Sequence, residues 1–115
     1  MTQPVIHFEI VGPDAKGLQD YYSSLFDWKI DANNQMNYGM VEAGEGGIAG
    51  GVAPSMDGQP NVTFYVQVAD LQAALNKAEK LGGKTVMPPM DVPGGPSIAQ
   101  FADPAGNVVG LVKGM

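Results

Sequence analysis

The chain has 115 residues, of which 44% are hydrophobic and 16% charged, so it is long enough for one domain and apolar enough to form a core. Its 12 acidic and 6 basic residues give a net charge of −6, which argues against nucleic acid and anionic membrane surfaces as partners. No cysteine is present, which excludes disulfides and thiolate chemistry. No apolar run is long enough to cross a bilayer, and the first residues lack the pattern of a signal peptide, so we expect a cytoplasmic protein.

The first half of the chain predicts a strand, a helix and three more strands. An apolar, β-prone segment at residues 5–11 predicts the first strand, and Asp14 is the expected helix N-cap. The helix is predicted over residues 15–26, where apolar residues recur every three or four positions and are expected to share one buried face: Leu18, Tyr21, Tyr22, Leu25 and Phe26. Three strands are predicted to follow, at residues 28–30, 36–42 and 48–52.

The second half predicts the same order of elements. A linker at residues 53–60 precedes a strand at 61–68, and Asp70 is the expected N-cap of a helix that ends before Gly82. The apolar face of this helix consists of Leu71, Ala74, Leu75, Ala78 and Leu81. Strands are predicted at residues 84–87, 97–102 and 107–112, with a loop rich in Pro and Gly at residues 88–96.

A constant shift of 56 positions pairs residues of like type in the two halves. It places Phe8 on Phe64 and Asp14 on Asp70, with apolar residues matched between them and along the helix. A gap-free match through strand, cap and helix indicates an internal duplication. We therefore predict a single α+β domain of two βαβββ modules in tandem, the first over about residues 4–53 and the second over about residues 60–113.

Three segments resemble the vicinal oxygen chelate superfamily, also called the glyoxalase/bleomycin resistance/dioxygenase superfamily. They are Ile6-His7-Phe8-Glu9-Ile10 on the first strand, the helix end from Tyr21-Tyr22 to Leu25-Phe26-Asp27-Trp28, and the turn Asp103-Pro104-Ala105-Gly106-Asn107. The resemblance covers nearly the whole chain. It implies that the two modules form a cupped, barrel-like mixed sheet with helices outside and a small-molecule cleft inside.

The resemblance also locates the metal-ligand positions of the metal-dependent members, which take one ligand from the first and last strand of each module. These positions hold His7, Gly51, Thr63 and Gly110 in this chain, so only His7 is a typical ligand. Catalytic metal sites need about three protein ligands. We therefore expect no metal site and no cofactor.

Strand alternation predicts which side chains face the cleft. If Phe8 packs against a helix, His7 and Glu9 on either side of it point to the opposite face of the sheet. The same alternation on the strand at residues 61–68 selects a second group of cleft residues. The predicted ligand site consists of His7, Glu9, Thr63, Tyr65 and Gln67, with His7 and Glu9 as the candidate catalytic pair.

Each of these residues also has a structural interpretation. His7 is the sole histidine, and a lone strand histidine often makes only a structural hydrogen bond. Glu9 lies between apolar neighbours and needs either a solvated cleft or a salt bridge with Lys16 or Lys29. Trp28 is expected to fill core rather than to stack on a ligand.

Three functions are consistent with the sequence. The leading hypothesis is metal-independent binding of a small molecule in the central cleft. The alternatives are a lyase or isomerase of the lactoylglutathione-lyase type acting on a small carbonyl compound, with or without a divalent metal, and a regulatory module that binds a basic protein through its acidic surface. The resemblance further implies a homodimer.

Overall fold

A computed structural model describes residues 2–114, and the chain is α+β with two βαβββ modules, as predicted. It divides into two compact units, the first formed by His7–Thr63 and the second by the remaining described residues. Neither helix in the described part of the chain is long and apolar enough to cross a membrane.

The first module consists of β1 (Val5–Gly12), α1 (Ala15–Phe26), β2 (Ile30–Asp31), β3 (Gly39–Val41) and β4 (Ala49–Pro54). Its strands lie side by side in the order β2-β3-β4-β1. β1 runs parallel to β4, whereas β3 is antiparallel to both β2 and β4. The parallel pair requires a crossover connection, which begins with helix α1.

The second module consists of β5 (Asn61–Val68), α2 (Leu71–Lys80), β6 (Lys84–Asp91), β7 (Ser97–Ala102) and β8 (Val108–Lys113). Its strands follow the order β5-β8-β7-β6, with β5 parallel to β8 and the other pairs antiparallel. The pairing pattern is therefore the same as in the first module.

The internal repeat is visible in the element bounds and in the helix caps. β1 and β5 begin and end 56 positions apart, and so do the first residues of the two helices. The Asp14 carboxylate accepts a hydrogen bond from the backbone N–H of Gly17, and the Asp70 carboxylate accepts one from Ala73, both at 3.0 Å. Both predicted N-caps are thus confirmed, and each satisfies a backbone donor that the first helical turn leaves unpaired.

The buried face of helix α1 differs from the prediction. Ala15 and Gln19 are its buried residues, whereas Tyr21 is 61% exposed and Leu25 and Phe26 are more than half exposed. The side of the helix that carries Ala15 and Gln19 faces the sheet. Tyr21, Leu25 and Phe26, near the C-terminal end of the helix, are not on that side. In helix α2 the same correction applies to Leu81, which is 70% exposed because the helix ends at Lys80.

An aromatic cluster packs on the helix side of the first module. The Phe8 ring lies 5.2 Å from the Trp28 ring, and Trp28 in turn lies 5.5 Å from Tyr22 and 5.3 Å from Phe26, measured between ring centroids. Phe8 therefore points toward the helix side, and the half-buried Trp28 packs against neighbouring aromatic rings.

The core of the second unit forms between helix α2 and its strands. It contains Val68, Leu71, Leu75, Ala99 and Leu111, and the partly buried Val66 and Phe101 pack against it. Val66 and Val68 thus face the helix, which directs Tyr65 and Gln67 to the opposite face of β5.

Strands β6 and β3 differ most from their predicted bounds. β6 was expected to end at Met87 but continues through Pro88 and Pro89 to Asp91, because the outermost strand of a sheet tolerates residues that lack an N–H. β3 was expected over residues 36–42 but covers only Gly39–Val41, since the segment before it folds into a loop with Asn37 in the left-handed conformation.

Candidate functional site

His7 and Glu9 lie on the face of β1 that points away from helix α1. Cross-strand register places Ala49 beside His7 and Gly51 beside Glu9 on the parallel strand β4. Met40 of β3 pairs with Gly51 from the other side, so Glu9, Gly51 and Met40 form one row on this face.

The hydroxyl of Tyr38 joins the two predicted catalytic residues. It lies 2.8 Å from His7 Nε2 and donates to Glu9 Oε2 at 3.1 Å. The rings of His7 and Tyr38 lie at 21° to each other, with their centroids 6.3 Å apart. The three half-buried side chains therefore form one hydrogen-bonded group, in which Tyr38 is the central member.

Gly51 provides the space that Tyr38 occupies. A Cβ atom at Gly51 would lie 2.0 Å from the Tyr38 hydroxyl oxygen and 2.1 Å from the ring carbon that carries it. Any side chain at residue 51 would displace the ring. The glycine at a ligand position of the metal-dependent members is therefore a packing requirement of this site.

Burial lowers the pKa of the His7 imidazole below its usual value of 6.5. The imidazole is consequently neutral at neutral pH, with one nitrogen able to donate and the other able to accept. Lys16, one of the two lysines predicted from the sequence as partners of Glu9, pairs instead with Asp20 at 3.3 Å on the exposed side of helix α1.

The second unit repeats the combination of glycine and tyrosine. Gly110 pairs with Tyr65 in the β5–β8 register, and a Cβ atom at Gly110 would lie 2.4 Å from the Tyr65 ring. Tyr65 is only 5% exposed. Its ring thus lies over Gly110, the position at which the metal-dependent members of the family have a glutamate.

The remaining two predicted ligand residues have different surroundings. Thr63, in the first unit, is 7% exposed. Gln67, in the second unit, is half-buried, and a Cβ atom at Gly114 would lie 2.9 Å from its side chain. The structure therefore groups His7 and Glu9 closely within the first unit and adds Tyr38 to them.

The residues at the four ligand positions do not fit a divalent metal. Gly51 and Gly110 have no donor atoms, and tyrosine rings fill the space where side chains would stand. His7 Nε2 is already engaged with Tyr38, and Thr63 supplies only a hydroxyl, which is a poor ligand. Across residues 2–114, no three His, Asp or Glu side chains come together in a group that could hold a metal ion.

A cavity of about 610 Å³ lies in the second unit, between helix α2 and the strands. Its walls are mostly apolar, with Val66, Ala74, Phe101 and Leu111 among the lining residues, and Lys77 also lines it. None of the five predicted ligand residues lines it. It is on the helix side of the sheet, opposite the face that carries Tyr65.

Sequence comparison identifies the family. The chain belongs to the Glyoxalase/Bleomycin resistance protein/Dioxygenase superfamily, whose family model matches residues 5–111. It is 31% identical over 117 residues to the anthracycline biosynthesis protein DnrV of Streptomyces peucetius, covering 86% of this chain and 42% of DnrV. It is 36% identical over 80 residues to the putative glyoxylase CFP32 of Mycobacterium tuberculosis, covering 67% of this chain and 30% of CFP32. The chain thus spans less than half the length of these relatives.

Solved structures show the same fold. The hypothetical protein BH1468 of Bacillus halodurans superposes with a TM-score of 0.72 over 100% of this chain and 96% of that chain, at 12% identity. The methylmalonyl-CoA epimerase of Mycobacterium tuberculosis superposes with a TM-score of 0.67 over 96% of this chain and 87% of its own, at 14% identity. At such identities the likeness concerns fold alone.

Proposed function

We propose that this protein binds a small organic molecule without a metal ion, on the sheet face that carries His7, Glu9 and Tyr38. The observation that carries the proposal is the Tyr38 hydroxyl, which bonds both His7 and Glu9 beside a glycine that offers no metal ligand. Met40, 60% exposed in the same row, adds an apolar surface next to these polar groups. Apolar walls with a few fixed polar groups are typical of small-molecule sites.

Anthracyclines are the first ligands to test. A relative with 31% identity is named for anthracycline biosynthesis, and this chain covers 42% of it. Anthracyclines combine a flat fused-ring body with a basic amino sugar, which suits an acidic protein with a net charge of −6. Their fluorescence also gives a direct binding signal.

The experiment is a fluorescence titration of the purified protein with daunorubicin, with and without EDTA. We expect saturable binding that EDTA leaves unchanged. Tyr38→Phe keeps the ring over Gly51 but removes the hydroxyl, so binding is expected to weaken by roughly tenfold, the value of about one hydrogen bond. Tyr21→Phe, on the exposed side of helix α1, is the matched control and is expected to bind like the wild type.

Two results would contradict the proposal. One is binding that requires an added divalent ion. The other is the absence of any effect of Tyr38→Phe, His7→Ala and Glu9→Gln on the affinity of every ligand found. Tyr65, Gln67 and Thr63 stay predictions from the sequence, and single substitutions at each position in the same titration test them.

Acid–base catalysis is the second candidate function, favoured by the hydrogen-bonded order His7, Tyr38, Glu9. A neutral imidazole linked through a hydroxyl to a carboxylate can take up a proton from a carbon next to a carbonyl. Such a reaction would be an isomerase or lyase step on a small carbonyl compound. Its test is turnover of the hemithioacetal of methylglyoxal and glutathione, which His7→Ala and Glu9→Gln are expected to reduce at least about a hundredfold. Unchanged turnover would remove both residues from the mechanism.

We also propose that the protein is a homodimer that acts in the cytoplasm and does not bind nucleic acid or membranes. The acidic composition supports the last part, because phosphate backbones and anionic lipids repel a chain with a net charge of −6.

A further inference from the structure

We infer that Asn34 and Gln19 are positioning residues that hold the Tyr38 hydroxyl between His7 and Glu9 and thereby place the imidazole proton of His7 on Nε2. The inference deepens the proposed function and rests on the same site. Neither residue belongs to the ligand site predicted from the sequence.

Asn34 fixes the backbone of Tyr38 from both sides. Its side-chain amide nitrogen donates to the Tyr38 carbonyl oxygen at 2.7 Å, and its amide oxygen accepts from the Tyr38 N–H at 2.9 Å. One side chain thus satisfies both backbone groups of the residue whose hydroxyl completes the site. A carboxylate or an apolar side chain at residue 34 could not make both bonds.

Gln19 ties the same loop to the sheet from the helix side. It is only 8% exposed, and its amide nitrogen donates to the Asn37 carbonyl at 3.1 Å and to the Val52 carbonyl at 2.9 Å. Asn37 immediately precedes Tyr38, and Val52 immediately follows Gly51. The amide therefore connects the two chain segments that bring the tyrosine ring over the glycine.

The internal repeat shows that a polar residue is not needed for helix packing at this position. A shift of 56 places Leu75 at the position of Gln19, and Leu75 is 1% exposed in the core of its own unit. Burying an amide is costly unless it is hydrogen-bonded. The two bonds of Gln19 both serve the loop before Tyr38 and the strand beneath it, which is the role we assign to this residue.

The direction of the hydrogen bonds fixes the proton on His7. A tyrosine hydroxyl has a single proton, and here it is donated to Glu9 Oε2. Because that proton is used in the bond to Glu9, the Tyr38 oxygen accepts at its contact with His7 Nε2, so Nε2 carries a proton. If the Tyr38 hydroxyl moves away, His7 Nε2 loses this acceptor.

The test is the exchange rate with water of the His7 Nε2 proton, measured by NMR on ¹⁵N-labelled protein without ligand. His7 is the only histidine, so its ring signals need no assignment among others. We expect a protonated Nε2 in the wild type, with exchange roughly tenfold faster in Tyr38→Phe, Gln19→Leu and Asn34→Ala, as for the loss of about one hydrogen bond. Gln19→Leu installs the residue that the second unit uses, so the fold is expected to persist.

The controls separate positioning from a general loss of structure. Gln72→Leu removes an exposed side-chain bond to Asn76 on helix α2 and is expected to leave the exchange rate unchanged. Adding Asn34→Ala to Tyr38→Phe is expected to give no further acceleration, because both act through the same hydroxyl. A proton found on Nδ1, or wild-type exchange in both Gln19→Leu and Asn34→Ala while Tyr38→Phe exchanges fast, would overturn the inference. No ligand is involved, so a failed daunorubicin titration with a protected His7 proton would reject the proposed function alone.

Discussion

Tyr38 and Tyr65 each cover a glycine, but they meet it with different parts of the ring. A Cβ atom at Gly51 would strike the hydroxyl end of Tyr38, whereas one at Gly110 would strike the edge of the Tyr65 ring, 2.4 Å from Cδ2. The hydroxyl end of a half-buried side chain can swing away, while a buried ring struck along its edge has little room to move. The two glycines are therefore expected to respond differently to the same substitution.

The first prediction compares Gly51→Ala with Gly110→Ala in urea denaturation. Gly110→Ala is expected to destabilise the protein by about 1–3 kcal/mol, the usual cost of overpacking. Gly51→Ala is expected to cost less but to separate the Tyr38 hydroxyl from His7, which the exchange of the His7 ring proton reports. Gly44→Ala is the control, since a Cβ atom there meets nothing within 4 Å. Equal, negligible costs at residues 51 and 110 would contradict the packing described here.

The second prediction concerns pH and His7. Because the folded pKa of His7 is lowered by burial, its contribution to stability is full above the unfolded value of about 6.5 and is lost as pH falls through the folded pKa. The free energy of unfolding of the wild type is therefore expected to fall more than that of His7→Gln between neutral pH and about pH 5. Urea denaturation of both proteins across this range measures the difference. Parallel pH profiles would show that His7 titrates as it does in the unfolded chain.

Asp103 also has a lowered pKa, but it is present in both the wild type and His7→Gln. Its titration therefore does not change the difference between their pH profiles. Hydrogen bonds from the Asn107 side chain and backbone lower the pKa of its carboxyl, so the stability it contributes is present above the ordinary aspartate pKa and lost at more acidic pH. The same carboxylate also accepts a hydrogen bond from the backbone N–H of Ala105, so Asp103 holds the turn at residues 103–107 closed.

At the scale of elements, the two helices begin with equivalent caps. Asp14 and Asp70 each accept one bond from the N–H three residues on, at the same distance. The third prediction is that Asp14→Ala and Asp70→Ala each lower the free energy of unfolding by about 1 kcal/mol. Asp20→Ala, which breaks only an exposed pair with Lys16, is the control and is expected to cost less than about 0.5 kcal/mol. Thermal or urea denaturation distinguishes these values.

Local signals made the helices and first strands predictable, whereas the site needed contacts across the fold. The caps and the start of each helix follow from Asp14, Asp70 and apolar spacing, which act within a few residues. Strand alternation placed His7 and Glu9 on one face. Tyr38 lies 31 positions from His7, and its hydroxyl reaches the site only because the loop before β3 folds back, which no local pattern reveals.

The same distinction explains the errors on helix α1. Apolar spacing alone assigned Tyr21, Leu25 and Phe26 to the core, but the face that the helix buries is set by the sheet beneath it. That face includes Gln19, which a search for apolar residues at helical spacing does not select. Its role follows only from the folded structure, where its amide donates to the carbonyls of Asn37 and Val52.

For the whole molecule, the fourth prediction is a mass in solution twice the 12.0 kDa of one chain. Several large apolar side chains, including Leu25, Phe26 and Met40, are more than half exposed, and such surfaces favour association. Light scattering after gel filtration measures the mass, and 12.0 kDa at all concentrations would contradict the expected homodimer.

Strand β6 is an edge strand, so its backbone decides how readily this side of the sheet pairs with a strand from another molecule. It is the outermost strand beside β7, and its register shifts twice, between Thr85 and Met87 and between Met87 and Met90. Pro88 and Pro89 lie between Met87 and Met90, where the second register shift occurs. Neither has a backbone N–H that could form a hydrogen bond with an added strand. An incoming strand from another molecule would find neither an even ladder nor a full row of donors along this edge. The pair of prolines thus makes β6 a poor template for adding a strand from another molecule.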